Sequence, residues 1–410
     1  MKILYICHRF PFPPKRGGKI RPFNMIKHLS RDHEVTVASL VRSAGEAREA
    51  QGISPYCHQF YATRVRPAIQ SLRMVARLPT LVPSSLGFFY SRSLATIVKH
   101  LLQSPSFDLI FVHCSSVARY VADVSWTPKI LDFGDMDSHK WLDYARFKAP
   151  PLNLGFWLEG VKLRREEQRL ARCFDICTTT TRAEWDTLQS YHCATDTDWF
   201  PNGVDTDYFS PDDGRYDPDL ICFVGRMDYY PNQEAMFGFC ADVLPLLRKH
   251  RPELRLQIIG ADPPPAVRRL AQLPNVTVTG SVPDVRPYLR KSALMVAPLN
   301  IARGTQNKLL ESMSAGVPVV TSSLAAAGVD AVPGEHMLVA TSPEEYCAAI
   351  LRVLNDPAER ARLAQAGRAR MQSHHNWAAS MRKLDTIIER CLRMHKHPPL
   401  RARQEQEGLA

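Results

Sequence analysis

The sequence predicts an α/β protein made of two doubly wound parallel-sheet domains joined near the middle of the chain. Three observations carry this expectation. Short β-branched apolar runs alternate with helical stretches in two separate series. Glycine- and proline-bearing turns follow the carboxyl ends of these runs. A polar, proline-bounded break, Pro201–Asp205 and then Ser210–Asp219, divides one series from the other. A chain of 410 residues also exceeds one compact core, and two domains of roughly 200 residues are expected.

In the first series the apolar runs Lys2–Cys7, Glu34–Leu40, Leu109–His113, Lys129–Phe133 and Ile176–Thr179 read as strands. Helices are expected at Gly18–Ser30 and Phe156–Arg172. The second series offers strands at Leu220–Val224, Leu254–Ile259, Val276–Thr279, Leu294–Ala297 and Val317–Thr321. Helices fall between them at Asn232–Lys249, Ala266–Gln272, Asp284–Lys291 and Thr305–Ser314, with further helical segments from Pro343. The last of these, Trp377–Cys391, carries apolar positions at Met381, Leu384, Ile387, Ile388 and Cys391. In such sheets ligands bind beyond the carboxyl ends of the strands, so the chemistry is sought in the turns that follow them.

Composition narrows the class. Hydrophobic residues make up 45% of the chain, and no apolar run approaches the roughly 18 to 20 residues that span a bilayer. The start, MKILYICHRFPFPP, is too short in apolar length for a signal peptide. Ten scattered cysteines suit a reducing cytosol, and Cys173 and Cys177, lacking a second metal-spaced pair, read as buried small hydrophobes. Net charge is +11, and no Asp or Glu occurs between Ala50 and Phe107. There Arg66, Gln70, Arg73 and Arg77 form one helical stripe beside Val65, Ile69, Leu72 and Ala76. A basic amphipathic helix of this kind suits an anionic leaflet or an anionic lipid-linked substrate as well as plain solvation. No zinc-finger, RNP or helix-turn-helix pattern accompanies the charge, which speaks against nucleic acid.

The stretch Gly304–Val320, GTQNKLLESMSAGVPVV, holds the densest chemistry. It reads as a helix entered through Gly304, Thr305 and Gln306. Unpaired N–H groups at a helix start favour a phosphate, and Lys308 in the first turn adds a full charge. Glu311, about 4.5 Å further along the axis, suits a bidentate grip on ribose hydroxyls. An ordinary amphipathic helix, with Leu309, Leu310 and Met313 on its apolar face, is the plainer alternative. Gly225 and Arg226 end an earlier strand, where the planar guanidinium fits phosphate oxygens. A backbone pair near Val282 suits a base edge. In the first series, Gly17 and Gly18 precede a helix and permit close backbone approach to a ligand. Asp132, Asp135 and Asp137 lie at a strand's carboxyl end and suit general-base work or hydroxyl binding; an Asp-x-Asp pair can also hold Mg²⁺, a weaker reading.

Taken in order, Gly17-Gly18, the DHEVTV run at Asp32–Val37, PNGVD at Pro201–Asp205, FVGR at Phe223–Arg226 and KLLESMSAGVPVV at Lys308–Val320 resemble the family 4 glycosyltransferases of the GT-B fold. The N-terminal HRFPFPPKRGGKIRPFN and the loop DFGDMDSHKW resemble the exopolysaccharide branch found with bacterial PEP-CTERM/exosortase systems. The resemblance implies two Rossmann-like domains facing a central cleft. An acceptor domain would occupy residues 1–198 and a nucleotide-sugar domain residues 199–375. A C-terminal helix at 376–394 would return to the first domain, and 395–410 would form a disordered tail. It implies transfer of a sugar from a nucleotide-diphosphate donor to a glycan or lipid-linked acceptor, with retained anomeric configuration, no bound metal and no further cofactor. The expected location is the cytoplasm, with peripheral contact to the inner face of the membrane.

Carried onto this chain, Arg226 and Lys308 would neutralise the diphosphate, Glu311 would hold the ribose, and Gly17 and Gly18 would approach the sugar or phosphate. Three departures stand out. Arg303 occupies the place of the first glutamate in the family's E-x7-E pair, and Asn232 that of a lysine six residues after the arginine. The histidine that follows the fourth N-terminal strand is replaced by acid, Asp135 being the nearest equivalent. A non-catalytic nucleotide-sugar scaffold and a GT-B sugar-nucleotide epimerase remain the alternatives.

Overall fold

The computed structural model of the chain describes residues 1–14, 17–103, 106–212 and 215–396. Lys15 and Arg16 of the glycine turn, Asp213 of the polar break and the tail from residue 397 lie outside the described residues. The chain divides into two compact units, one of Met1–Phe200 with the chain from Met381, the other of Pro201–Ser380.

The first unit is a seven-stranded parallel sheet. Its strands are β1 (Lys2–Cys7), β2 (Glu34–Val41), β3 (Gln59–Arg64), β4 (Leu109–His113), β5 (Lys129–Gly134), β6 (Ile176–Thr179) and β7 (Thr197–Trp199). Their order is β3-β2-β1-β4-β5-β6-β7. β1 pairs on one side with β2 (Ile3 opposite Val35) and on the other with β4 (Ile3 opposite Leu109). Ile3 to Cys7 are wholly buried, as a central strand covered on both faces must be.

The second unit repeats the plan with six parallel strands. These are β8 (Asp217–Val224), β9 (Arg255–Ile259), β10 (Val276–Val278), β11 (Ser292–Ala297), β12 (Val319–Thr321) and β13 (Leu338–Val339), in the order β10-β9-β8-β11-β12-β13. Phe223, Ile258, Leu294 and Val320 from four of them share its core with Ile350 and Val353 of the Pro343–Asn355 helix. That helix opens with a reciprocal cap in which Ser342 and Glu345 satisfy each other's backbone N–H groups.

Every strand expected from sequence is present, and the three that were not expected, β3, β7 and β13, are all sheet edges. Edge strands are half-covered and short, so they lack a continuous apolar run. β3 shows this directly, with Gln59 and Arg64 exposed at its two ends. The Asn232–Lys249 helix extends from Tyr230 to His250 and widens by one π turn at Phe239–Val243, just before Pro245. Cys177 is buried as expected, but Cys173 is half-buried and its thiol donates to the Arg169 carbonyl. Among the described residues no helix is long and apolar enough to cross a membrane.

Candidate functional site

In the second sheet the strand order reverses between β8 and β11, which opens a crevice at their carboxyl ends. Gly225 and Arg226 follow β8; residues 298–306 follow β11 and lead into the Asn307–Ser314 helix. The first of these turns is pinned to the neighbouring strand, because Gly225 N–H donates to Ile259 O (3.0 Å) and Met227 N–H to Ala261 O (2.9 Å). A Cβ at Gly260 would fall 1.7 Å from the Gly225 carbonyl oxygen, so the close approach admits only glycine there.

Lys308 lies at the heart of this edge. Its Nζ donates to Asn232 Oδ1 at 2.6 Å and sits 4.6 Å from the centre of the Phe223 ring. Asn232 in turn donates from Nδ2 to the Arg226 carbonyl at 2.7 Å. A Cβ on Gly225 would meet Asn232 Nδ2 at 2.8 Å and Lys308 Nζ at 3.2 Å. Lys308 and Glu311 are half-buried as residues, yet enough protein surrounds their charged ends for burial to dominate. Burial pushes the lysine down to about 7, with Glu311 resisting. It pushes the glutamate up to about 7, with Lys308 resisting.

The Asn307–Ser314 helix begins two residues later than expected. Gln306 does not cap it with its side chain; the amide donates to Arg303 O instead (3.1 Å). Gly304 takes a left-handed φ of +61° to make the turn. The hydroxyl of Thr305 is buried with no partner. An uncapped helix start, a buried hydroxyl without a partner and an ammonium form a natural anion site. Gly225, Arg226, Gly304, Thr305, Gln306, Lys308 and Glu311 all lie along this one edge. Val282 lies further along the same carboxyl edge: it follows β10, two strands out from β8, and packs half-buried against the core.

Arg226 differs from the expected bare clamp. Its guanidinium grips Asp228 through two hydrogen bonds (3.0 and 2.8 Å) and also pairs with Asp262. The bonds to Asp228 raise its pKa further. All three side chains are substantially exposed. Such pairs contribute only about 0–1 kcal/mol, which a diphosphate competing for the same fork can overcome. Two further groups escaped the sequence analysis. Asn202 of PNGVD donates to Asn307 Oδ1 at 3.4 Å, so that motif touches the helix start. Glu234 accepts from Asn300 Nδ2 at 2.9 Å, and its other carboxylate oxygen is buried without a partner. It thereby brings an acid to the loop that carries Arg303, a pairing invisible over 66 residues of sequence.

In the first sheet the reversal lies between β1 and β4. The three carboxylates in and after β5 occupy different environments. Asp132 is wholly buried and accepts from Arg21 (2.9 and 3.0 Å), His113 Nδ1 (2.7 Å) and Thr178 (2.9 Å). Burial alone would raise its pKa, but the Arg21 charge and these bonds hold it well below the usual carboxylate range. It is a structural hub and no base. Asp137 opens the Asp137–Phe147 helix and is pushed up by burial. Asp135 is half-buried and accepts from the Thr180 hydroxyl at 2.9 Å. Among the described residues no group of three or more His, Cys, Asp or Glu side chains is arranged to hold a metal ion.

The presence of β3 changes the strand count. The fourth strand is Leu109–His113, and a histidine does close it; Asp135 follows the fifth. His113 is thus the residue that closes the fourth strand, and β3, the weak edge strand that the sequence does not announce, accounts for the shift of one. Because Asp132 is ionised, His113 Nδ1 carries the proton it shares with it, and Nε2 is left outside that bond. Gly17 begins the Gly17–Leu29 helix, and both it and Gly18 are exposed. A Cβ at Gly18 would make only an ordinary 3.7 Å contact with Arg9, so the protein's own packing does not demand glycine there.

Residues 218–356 match the family described as Glycosyl transferases group 1. The D-inositol 3-phosphate glycosyltransferase of Nocardiopsis dassonvillei is 26% identical over 248 residues, which cover 54% of this chain and 57% of that protein. The match thus spans little more than half the length of that relative. Sucrose-phosphate synthase from Thermosynechococcus elongatus superposes with a TM-score of 0.69 at 17% identity, over 95% of this chain and 99% of its own. HepE of Anabaena, solved with UDP, gives 0.68 at 14% identity, over 95% and 100%. At these identities the likeness is one of fold. The chain has the GT-B fold, and residues 218–356 of its second unit match the glycosyl transferases group 1 family.

Proposed function

We propose that the protein is a retaining glycosyltransferase that moves a sugar from a nucleotide-diphosphate donor to a glycan or lipid-linked acceptor. Exopolysaccharide biosynthesis of the PEP-CTERM/exosortase-associated type is the proposed setting. The cytoplasm, with peripheral contact at the inner face of the membrane, is the proposed location. One observation carries the reading: an enclosed, oriented Lys308 at an uncapped helix start, beside a buried Thr305 hydroxyl that lacks a partner. Diphosphate oxygens supply what each of these groups lacks.

Chemistry follows from charge. As the anomeric C–O bond breaks, its electron pair goes to the diphosphate and positive charge builds on the sugar ring. Lys308, Arg226 and the helix N–H groups stabilise the leaving group without reorganising. The acceptor hydroxyl bonds to the anomeric carbon on the face the diphosphate leaves, so configuration is retained. Asp135 is proposed to take its proton, with His113 Nε2 at the same sheet edge. Glu311 holds the ribose, while Gly17, Gly18, Gly225 and Val282 are proposed donor contacts. No further cofactor or metal is invoked. UDP, with which the Anabaena structure was solved, is the first nucleotide to try.

Calorimetry of the protein against UDP, GDP and ADP sugars tests the reading. Binding of one class, weakened by Lys308→Ala, supports it; no binding of any class sinks it. A non-catalytic nucleotide-sugar binder is the second reading, favoured by the two carboxylates that hold Arg226. Donor binding without hydrolysis or transfer across an acceptor panel would select it.

A further inference from the structure

We propose that the first unit docks on an anionic bilayer through an amphipathic helix turned inside out, Pro67–Ala76, together with the adjoining start of the Leu152–Ala171 helix. The inference deepens the lipid-linked acceptor proposed above and rests on that reading for its purpose.

The Pro67–Ala76 helix reverses the usual arrangement, in which apolar side chains face the protein and polar ones face water. Gln70 is 2% exposed, whereas Leu72 is 70% exposed. Gln70 Nε2 and an Arg73 guanidinium nitrogen both donate to the Tyr90 carbonyl, at 3.1 and 2.9 Å. Arg73 also lies over the Tyr90 ring. The middle of the polar stripe, Gln70 and Arg73, is thus spent on the protein's own backbone. Ile69, Leu72 and Val75, three residues apart in turn, are left facing outward.

A second apolar stripe adjoins the first. Leu154, Trp157 and Leu158 share one face of the Leu152–Ala171 helix and are all exposed. One turn on, Lys162 Nζ donates to the Leu78 carbonyl at 2.8 Å. Between them, the Glu159 carboxylate accepts from the Ser84 and Ser85 N–H groups at 2.9 and 2.8 Å. These bonds stitch the chain leaving the first helix, where Leu81 is 83% exposed, onto the end of the second stripe. Of the 19 exposed large hydrophobics among the described residues, ten fall within residues 69–81 and 147–158. Single exposed apolar residues are ordinary; such a concentration marks an interaction surface.

Charge selects the partner. Residues 51–106 contain no acid, and between 144 and 165 the single acid is Glu159, buried and bound to backbone N–H groups. Arg66, Arg146, Arg164 and Arg165 are exposed in the same segments. Leucines and a tryptophan bordered by one sign of charge match hydrocarbon bordered by anionic headgroups.

The test is flotation of the full-length protein with vesicles of phosphatidylcholine alone or of equal parts phosphatidylcholine and phosphatidylglycerol. Flotation is expected with the anionic vesicles, weakened by salt. It should fall about tenfold or more with phosphatidylcholine alone, and equally in the triple variant Leu72→Ser, Leu81→Ser, Trp157→Ser. Equal flotation of variant and wild type overturns the proposal, as does no wild-type flotation with anionic vesicles. A concentration-dependent wild-type dimer that the variant abolishes also overturns it, since a second copy then covers the face. Nucleotide calorimetry on the same samples keeps the two readings apart. Unchanged binding by the variant shows an intact fold, whereas absence of wild-type donor binding fails the donor reading and leaves the vesicle result to judge this surface.

Discussion

Lys308 donates its ammonium proton to Asn232 at 2.6 Å across 76 residues of sequence, and Asn232 simultaneously holds the carbonyl of Arg226. One side-chain amide therefore ties together the two cations of the proposed diphosphate site. In the family pattern a second lysine stands at position 232; here its amide replacement orients the lysine that remains.

Removing either cation should cost leaving-group stabilisation while sparing the fold. Lys308→Ala and Arg226→Ala are each expected to lower turnover about tenfold or more, with unchanged circular dichroism. Arg226 takes part only in exposed pairs worth about 0–1 kcal/mol, so its loss should leave the melting temperature near wild type. Near-normal rates in both variants would remove the clamp from the mechanism.

Donor binding should take up a proton in mildly alkaline solution. Burial holds Lys308 down to about 7 in the free protein, so above that pH it is largely neutral. A diphosphate beside it favours the charged form and raises its pKa. Affinity is therefore full below the free-state value and is lost as pH rises through the bound-state value. Calorimetry at about pH 8 in buffers of different ionisation enthalpy reads the uptake. Lys308→Met should abolish it, and no uptake by wild type contradicts the assignment.

The buried Arg21–Asp132 pair of the first sheet should dominate that unit's stability. Breaking it with Arg21→Met leaves the Asp132 charge uncompensated, at a cost of about 3–5 kcal/mol in urea unfolding. Asp132 is depressed below its ordinary value of 3.8. Its contribution is thus present above that value and lost only as pH falls well beneath it. A variant as stable as wild type at neutral pH would show that the pair is incidental.

Gly225→Ala places a methyl group 2.8 Å from Asn232 Nδ2 and 3.2 Å from Lys308 Nζ. The amide and ammonium must yield, so nucleotide affinity should drop about tenfold with little change in melting temperature. Wild-type affinity would mean that the Lys308 position is not critical.

His113→Gln should slow transfer while leaving nucleotide affinity unchanged, because His113 belongs to the first sheet and contacts Asp132 (2.7 Å). Asp135→Asn is expected to act in the same direction. Full activity in that variant would reduce Asp135 to a loop anchor for Thr180.

Much of this was legible in the residues. The central strands announced themselves as continuous apolar runs because both their faces are covered. The glycines and the Gly304–Val320 stretch marked the edge of the second sheet where the anion site is proposed. Three of the four edge strands were not legible, and without β3 the strand count shifted by one. Arg226 looked unengaged because Asp262, one of its two partners, lies 36 residues further on. The Pro67–Ala76 helix was read as basic and amphipathic, but which stripe faces water depends on the Tyr90 carbonyl.

The sequence by itself determined the two parallel sheets and placed the glycines and cations of the proposed site at the ends of their strands, because periodicity, glycine and charge act locally. Only the tertiary structure decided which side chains reach each other. Asn232 against Lys308, Arg21 against Asp132, and leucines turned out to water all depend on contacts between segments far apart in the chain. Burial and pairing, which set the charge state of every one of these groups, exist only once those segments have met.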